Sequence, residues 1–177
     1  MGLPSRSMGL MFRMDNHQYE RIRATWREAR KALKYEYRLL RRLEMTTDLE
    51  AELIAISDEN YENDCPPLRG LDLGVAATVL TLSAMGGLTV TSCNGGCLGD
   101  HHHEKHPLVV FYAKPEDAAT LLGAADESGV GITNEDGSLM VCANDIWRMH
   151  NFAKSILKRR WKLRRRKRRT QSLFSAG

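Results

Sequence analysis

The sequence predicts an α+β fold: a mostly antiparallel sheet with helices on one face, in the order α-β-β-α-β-β-α, preceded by an N-terminal helical hairpin. Three observations carry this. Between 71 and 157 the apolar pattern alternates between helix-period and strand-like segments, separated by glycine and proline. Ahead of that body, 15–62 shows helical periodicity only. The Asn134-Glu135-Asp136-Gly137 stretch sits between two β-prone runs, the mark of a hairpin and hence of antiparallel pairing.

Taken in order, 1–14 forms a loose start and 15–62 the helical hairpin. Asp15 with Gln18 has capping-box spacing, and a helix is expected to follow to 44. Its apolar positions, Tyr19, Ile22, Trp26, Ala29, Leu33, Leu40 and Leu43, step by threes and fours, with a break at Glu36. Such a seam suits pairing with another helix, within the hairpin or in a homodimer through residues 19–43. Thr47 with Glu50 has the same spacing and opens a second helix through Leu49, Leu53 and Ile56. Residues 63–70 form a linker by their proline and glycine content.

The core follows at 71–157. Residues 75–85 are apolar almost all round, so that helix should be buried, and Gly86 with Gly87 stops it. Strands are expected at 88–92 and 108–113, the second entered through Pro107 where no ladder donor is missed. Pro115 opens a helix with Ala118, Leu121, Leu122 and Ala125 on one face, closed by Gly129. The hairpin pairs 130–133 with 139–143. Asn144 or Asp145 then caps a last helix that turns Ile146, Met149, Phe152, Ala153 and Ile156 inward. Residues 158–177 form a basic arm.

Charge divides the chain sharply. The formal net charge is +4, yet 154–169 hold 11 basic residues and no acid, whereas 45–153 hold 4 basic and 17 acidic. An acidic body with a basic end implies a polyanionic partner, or an arm lying on its own body. No membrane span is expected, because the longest apolar stretch, 74–90, is broken by Ser83, Gly86 and Gly87. The start has no charged region followed by an apolar run, and Arg6 spoils a myristoylation pattern. Four unevenly spaced cysteines do not make a disulfide framework, which points to a reducing cytoplasm.

Chemistry concentrates in the loop between the first two strands. Ser92, Asn94, Gly95 and Gly96 leave a strand end, where glycines at positive φ can turn successive N–H groups into a hollow for a phosphate, carboxylate or oxyanion. The plain alternative is a tight turn around a buried cysteine. Cys93 and His103 are the candidate catalytic pair, thiol and base. Cys97, His101 and His106, with Cys93, His102 and His103 nearby, supply ligands of the kind zinc takes, although no standard zinc spacing is matched. Cys65 lies in the linker, Cys142 is expected in the core, and His150 reads as a satisfied structural histidine.

The arm offers Arg159, Arg160, Trp161, Lys162, Arg164, Arg165, Arg166, Lys167, Arg168 and Arg169 as a nucleic-acid-binding set. Cations at this density neutralise phosphates without regard to sequence, and Trp161 can stack on a base. A solvated helix extension or a localisation signal would have the same composition. Arg27, Arg30, Lys31, Lys34, Arg38, Arg41 and Arg42 on the first helix could extend the footprint, but helical geometry spreads them over more than one face, which makes that extension weak.

Residues 74–143 resemble the methyltransferase family that acts late in wybutosine synthesis on tRNA. The resemblance lies in Thr91-Ser92-Cys93-Asn94-Gly95-Gly96, matching a Thr/Ser-Ser-Cys-Ser-Gly-Arg motif, and in the element order. Asn94 and Gly96 depart from the motif, and the histidine cluster is foreign to it. The resemblance implies the same type of fold and a pocket around Ser92, Cys93 and Gly95. S-adenosylmethionine enters only by this route. RNA is the favoured nucleic acid for the C-terminal arm. The expected protein is nucleic-acid-associated, a modifying enzyme of RNA or nucleotides, or else a non-enzymatic or zinc-stapled binding module.

Overall fold

The computed structural model describes residues 23–61, 67–98 and 104–174, with 60–61 and 161–174 described as backbone alone. Its elements are α1 (Trp26–Met45), α2 (Leu49–Tyr61), α3 (Ala76–Met85), β1 (Leu88–Cys93), β2 (Leu108–Tyr112), a 3-10 turn (Pro115–Asp117), α4 (Ala118–Ser128), β3 (Gly131–Glu135), β4 (Ser138–Cys142) and α5 (Ile146–Phe174). The fold is α+β as the sequence predicts. All strand pairs are antiparallel, in the order β1-β2-β4-β3.

The sheet buries one face. Val109, Phe111 and Val141 are fully buried against Val79 and Leu82 of α3, Leu121 and Ala124 of α4, and Met149, Phe152 and Ile156 of α5. Opposite-facing Leu88 and Tyr112, paired in register, remain exposed. The β3–β4 hairpin closes more tightly than the sequence predicts: Glu135 pairs with Ser138, and Asp136 and Gly137 turn the chain at positive φ. On α4 the buried set is Leu121, Ala124 and Ala125, whereas Leu122 is exposed.

Helix α1 starts later than expected. Residues 23–25 are not helical, and Thr25 with Glu28 makes the capping box: the Glu28 N–H donates to Thr25 Oγ1, and the Thr25 N–H to Glu28 Oε2. Asp15 and Gln18 lie outside the described residues. At α2, Asp48 rather than Thr47 caps, accepting from the Ala51 N–H. The apolar stripe of α1 is covered within the chain by α3, through Ala32, Leu39, Ala76 and Leu80. Arg42 ties α2 back to α1 through Glu52 and Glu59.

Candidate functional site: the cysteine loop and the basic helix

The 93–97 loop turns inward. Gly95 and Gly96 adopt φ of 70° and 67°, a left-handed pair that only glycine enters without strain. Their N–H groups donate to the loop itself, Gly95 to Cys93 Sγ at 3.3 Å and Gly96 to Asn94 Oδ1 at 3.1 Å. The Cys97 N–H points to the Asn94 carbonyl. Asn94 is buried, so its side chain acts as an internal brace. The donors that would make an anion hollow are therefore engaged in closing the turn. A second reason for glycine is close packing: a Cβ on Gly95 would lie 2.6 Å from the Pro107 nitrogen.

Electrostatics around the two loop thiols favours their neutral form. Burial pushes the Cys93 thiol up, and Asp72 and Glu104 add to it against the opposing N–H groups of Gly95 and Glu104. Desolvation also raises Cys97, followed by Asp145 and Cys93. A raised thiol is a poorer nucleophile and metal ligand at neutral pH. His106 is exposed, with its backbone wedged against Gly95. Ser92 stands opposite Val109 in the ladder. His101, His102, His103 and Cys65 lie outside the described residues. Among the described residues, no three of His, Cys, Asp and Glu converge as a metal-binding group. Cys142 is half-buried at the sheet end, opposite Leu108, whose other neighbour is Cys93.

The basic arm is not a separate piece. α5 continues without a break from the core position Met149 to Phe174, carrying 161–169 along as helix. Its root is fastened to the body. Lys158 Nζ meets Glu127 Oε1 at 2.6 Å, and the Ser155 hydroxyl donates to Glu127 Oε2. Together they hold the Glu127 carboxyl down to about 2. Arg159 donates to the Gly123 carbonyl at 2.5 Å and reaches Glu127. A Cβ at position 123 would meet that guanidinium at 2.5 Å, so Gly123 makes room for it. Arg160 stacks on the Trp26 ring, 3.6 Å from its centroid. Arg159 and Arg160 thus anchor the arm, whereas 162 and 164–169 lie past the anchor. Their positions take up the whole helix circumference.

Sequence reasoning missed Glu36. The break in the α1 seam is fully buried: its carboxylate accepts from the Gly74 and Ala77 N–H groups, both at 3.2 Å, and faces His150 Nδ1 at 2.9 Å. Tyr37 and Trp147 surround the imidazole at centroid distances of 5.9 Å. The one signal was an acid at a seam position. Its partners, at the entry to α3 and on α5, are far away in sequence.

Among the described residues no helix is long and apolar enough to cross a membrane. No family model, no curated protein and no solved structure matches the chain. The resemblance to the wybutosine-synthesis methyltransferases therefore rests on 91–96 and the element order alone.

Proposed function

We propose that the chain is a nucleic-acid-binding protein that grips phosphate backbone through the basic C-terminal half of α5. The carrying observation is the continuity of α5. One helix is packed into the core at Met149, Phe152 and Ile156, tied down at 158–160, and extended through a run with seven basic positions and no acid. A core-anchored helix presents these positions with little loss of conformational freedom on binding. Charge alone gives salt-dependent affinity without sequence preference. RNA is favoured over DNA through the resemblance of 74–143 to a tRNA-modifying family. A reducing cytoplasm is the compartment that the uneven cysteine spacing of the sequence favours.

A modifying activity at the 93–97 loop has less support. The loop donors bond internally, and burial pushes the Cys93 thiol up, so the loop reads as a brace for the sheet end. Fluorescence anisotropy with a labelled single-stranded RNA oligonucleotide tests the binding. Replacing Lys162, Arg164, Arg165, Arg166, Lys167, Arg168 and Arg169 with glutamine should weaken it by at least about 100-fold at low salt. Unchanged affinity would overturn the assignment to α5.

A further inference from the structure

Helix α1 carries a second row of charge. Arg27, Lys31, Lys34, Arg38 and Arg41 are all exposed and follow one another at steps of four, three, four and three residues. On a helix of 3.6 residues per turn, that spacing keeps them within one stripe about 21 Å long. The buried residues Ala29, Ala32, Glu36, Leu39 and Leu40 occupy the opposite side, so the stripe points straight away from the core. The acids of α1 do little to cancel it. Glu28 is engaged with Arg69, Glu36 is buried, and only Glu44 reaches the row, at Arg41. The basic residues that look dispersed in the sequence are therefore sorted by the fold into a ridge.

The ridge begins where the arm emerges. Glu36 contacts His150 and Trp26 contacts Arg160, which sets α1 antiparallel to α5 and places the first turn of α1 beside the exit of the arm. Arm and ridge together span about 30 Å of helix. Regular single-sign charges about 5 Å apart along an axis suit a linear polyanion better than a compact anion. A lipid surface fits less well. Membrane-lying basic helices insert the apolar face beneath their charges, and the apolar face of α1 is already buried against α3.

We infer that the solvent face of α1, through Arg27, Lys31, Lys34 and Arg38, is a second phosphate-binding surface that continues the track of the α5 arm. The inference rests on the nucleic-acid reading of α5 and extends it from a tail to a two-helix footprint. It predicts that the bound strand runs from the arm onto the body rather than leaving at the tip.

The test measures the salt dependence of binding to a 30-nucleotide single-stranded RNA for three full-length proteins. They are wild type, an arm variant with its seven basic residues replaced by glutamine, and a ridge variant carrying R27Q, K31Q, K34Q and R38Q. With about 0.7 counterions released per single-strand phosphate contact, the ridge variant should lose about 3 from the slope of log affinity against log salt. It should also bind at least about tenfold more weakly at low salt. The charge-preserving set R27K, K31R, K34R and R38K should bind as wild type. If the quadruple variant fails to fold, K31Q with K34Q should still reduce the slope by about 1. A ridge variant with wild-type slope, beside an arm variant that has lost binding, overturns the ridge and leaves the arm standing. Wild type without affinity for RNA overturns both. Loss of binding to phosphatidylserine vesicles with RNA binding intact would also overturn the ridge, in favour of a lipid partner.

Discussion

Glu36 Oε2 and His150 Nδ1 meet at 2.9 Å in the interior, joining residues 114 apart in the chain, with the imidazole 3% and the carboxylate 0% exposed. The carboxylate also accepts two N–H groups at the start of α3, where the helix dipole favours negative charge. One side chain thus fixes α1, α3 and α5 relative to one another. That geometry in turn sets where the basic end of α5 leaves the body.

Removing Glu36 leaves His150 and two N–H groups without their acceptor. Glu36→Ala should cost at least about 2 kcal/mol in urea unfolding, because buried donors lose their acceptor. The exposed Glu44→Ala should stay within about 0.5 kcal/mol of wild type. Equal effects from the two would show that the buried pair is not a structural node.

The Glu127 clasp predicts a pH window. Lys158 and Ser155 depress its carboxyl to about 2 from an ordinary 4.5. A depressed folded value adds stability that is fully present above about 4.5 and is lost as pH falls toward about 2. The urea midpoint of wild type should therefore decline across that interval relative to Glu127→Gln. A constant gap between the two from pH 5 to pH 2 would contradict the clasp.

Thiol chemistry should be sluggish at the loop. Burial and the carboxylates of Asp72 and Glu104 raise Cys93, so its alkylation rate by iodoacetamide should climb only above the pH at which an unperturbed cysteine reacts. Mass spectrometry of timed aliquots reads this residue by residue. Rapid modification of Cys93 at pH 7 would restore it as a nucleophile.

Gly95→Ala introduces a side chain at φ 70° and presses its Cβ into the backbone at His106 and Pro107. The strain alone is about 1–3 kcal/mol, and the close approach adds to it. Thermal unfolding should fall by several degrees, with RNA affinity of the folded protein unchanged. A drop in affinity at equal folding would tie the loop to binding.

Local features of the fold were legible in the sequence because local chemistry sets them. Gly86 at φ 104° ends α3, Asp145 caps α5, and Asp136-Gly137 turns the hairpin, each as its residue type demands. The start of α1 was misplaced because Asp15–Gln18 and Thr25–Glu28 share a spacing, which cannot reveal that Trp26 packs against the core and takes the Arg160 guanidinium on its ring. Glu36 read as a flaw in a seam because its partners arrive from α3 and α5. The glycine loop was legible as a turn, but spacing does not say whether its N–H groups point outward or close on Asn94 and Cys93. The basic residues of α1 were legible as an extension of the footprint, but that five of them share the face opposite the core followed only from the buried side of the helix.

The salt dependence of wild-type binding to single-stranded RNA tests the central assignment most directly. With at least six of the basic positions on α5 contacting phosphate, log affinity should fall linearly with log salt, with a slope of about −4 or steeper. A slope near zero, or no binding at 50 mM salt, would contradict it.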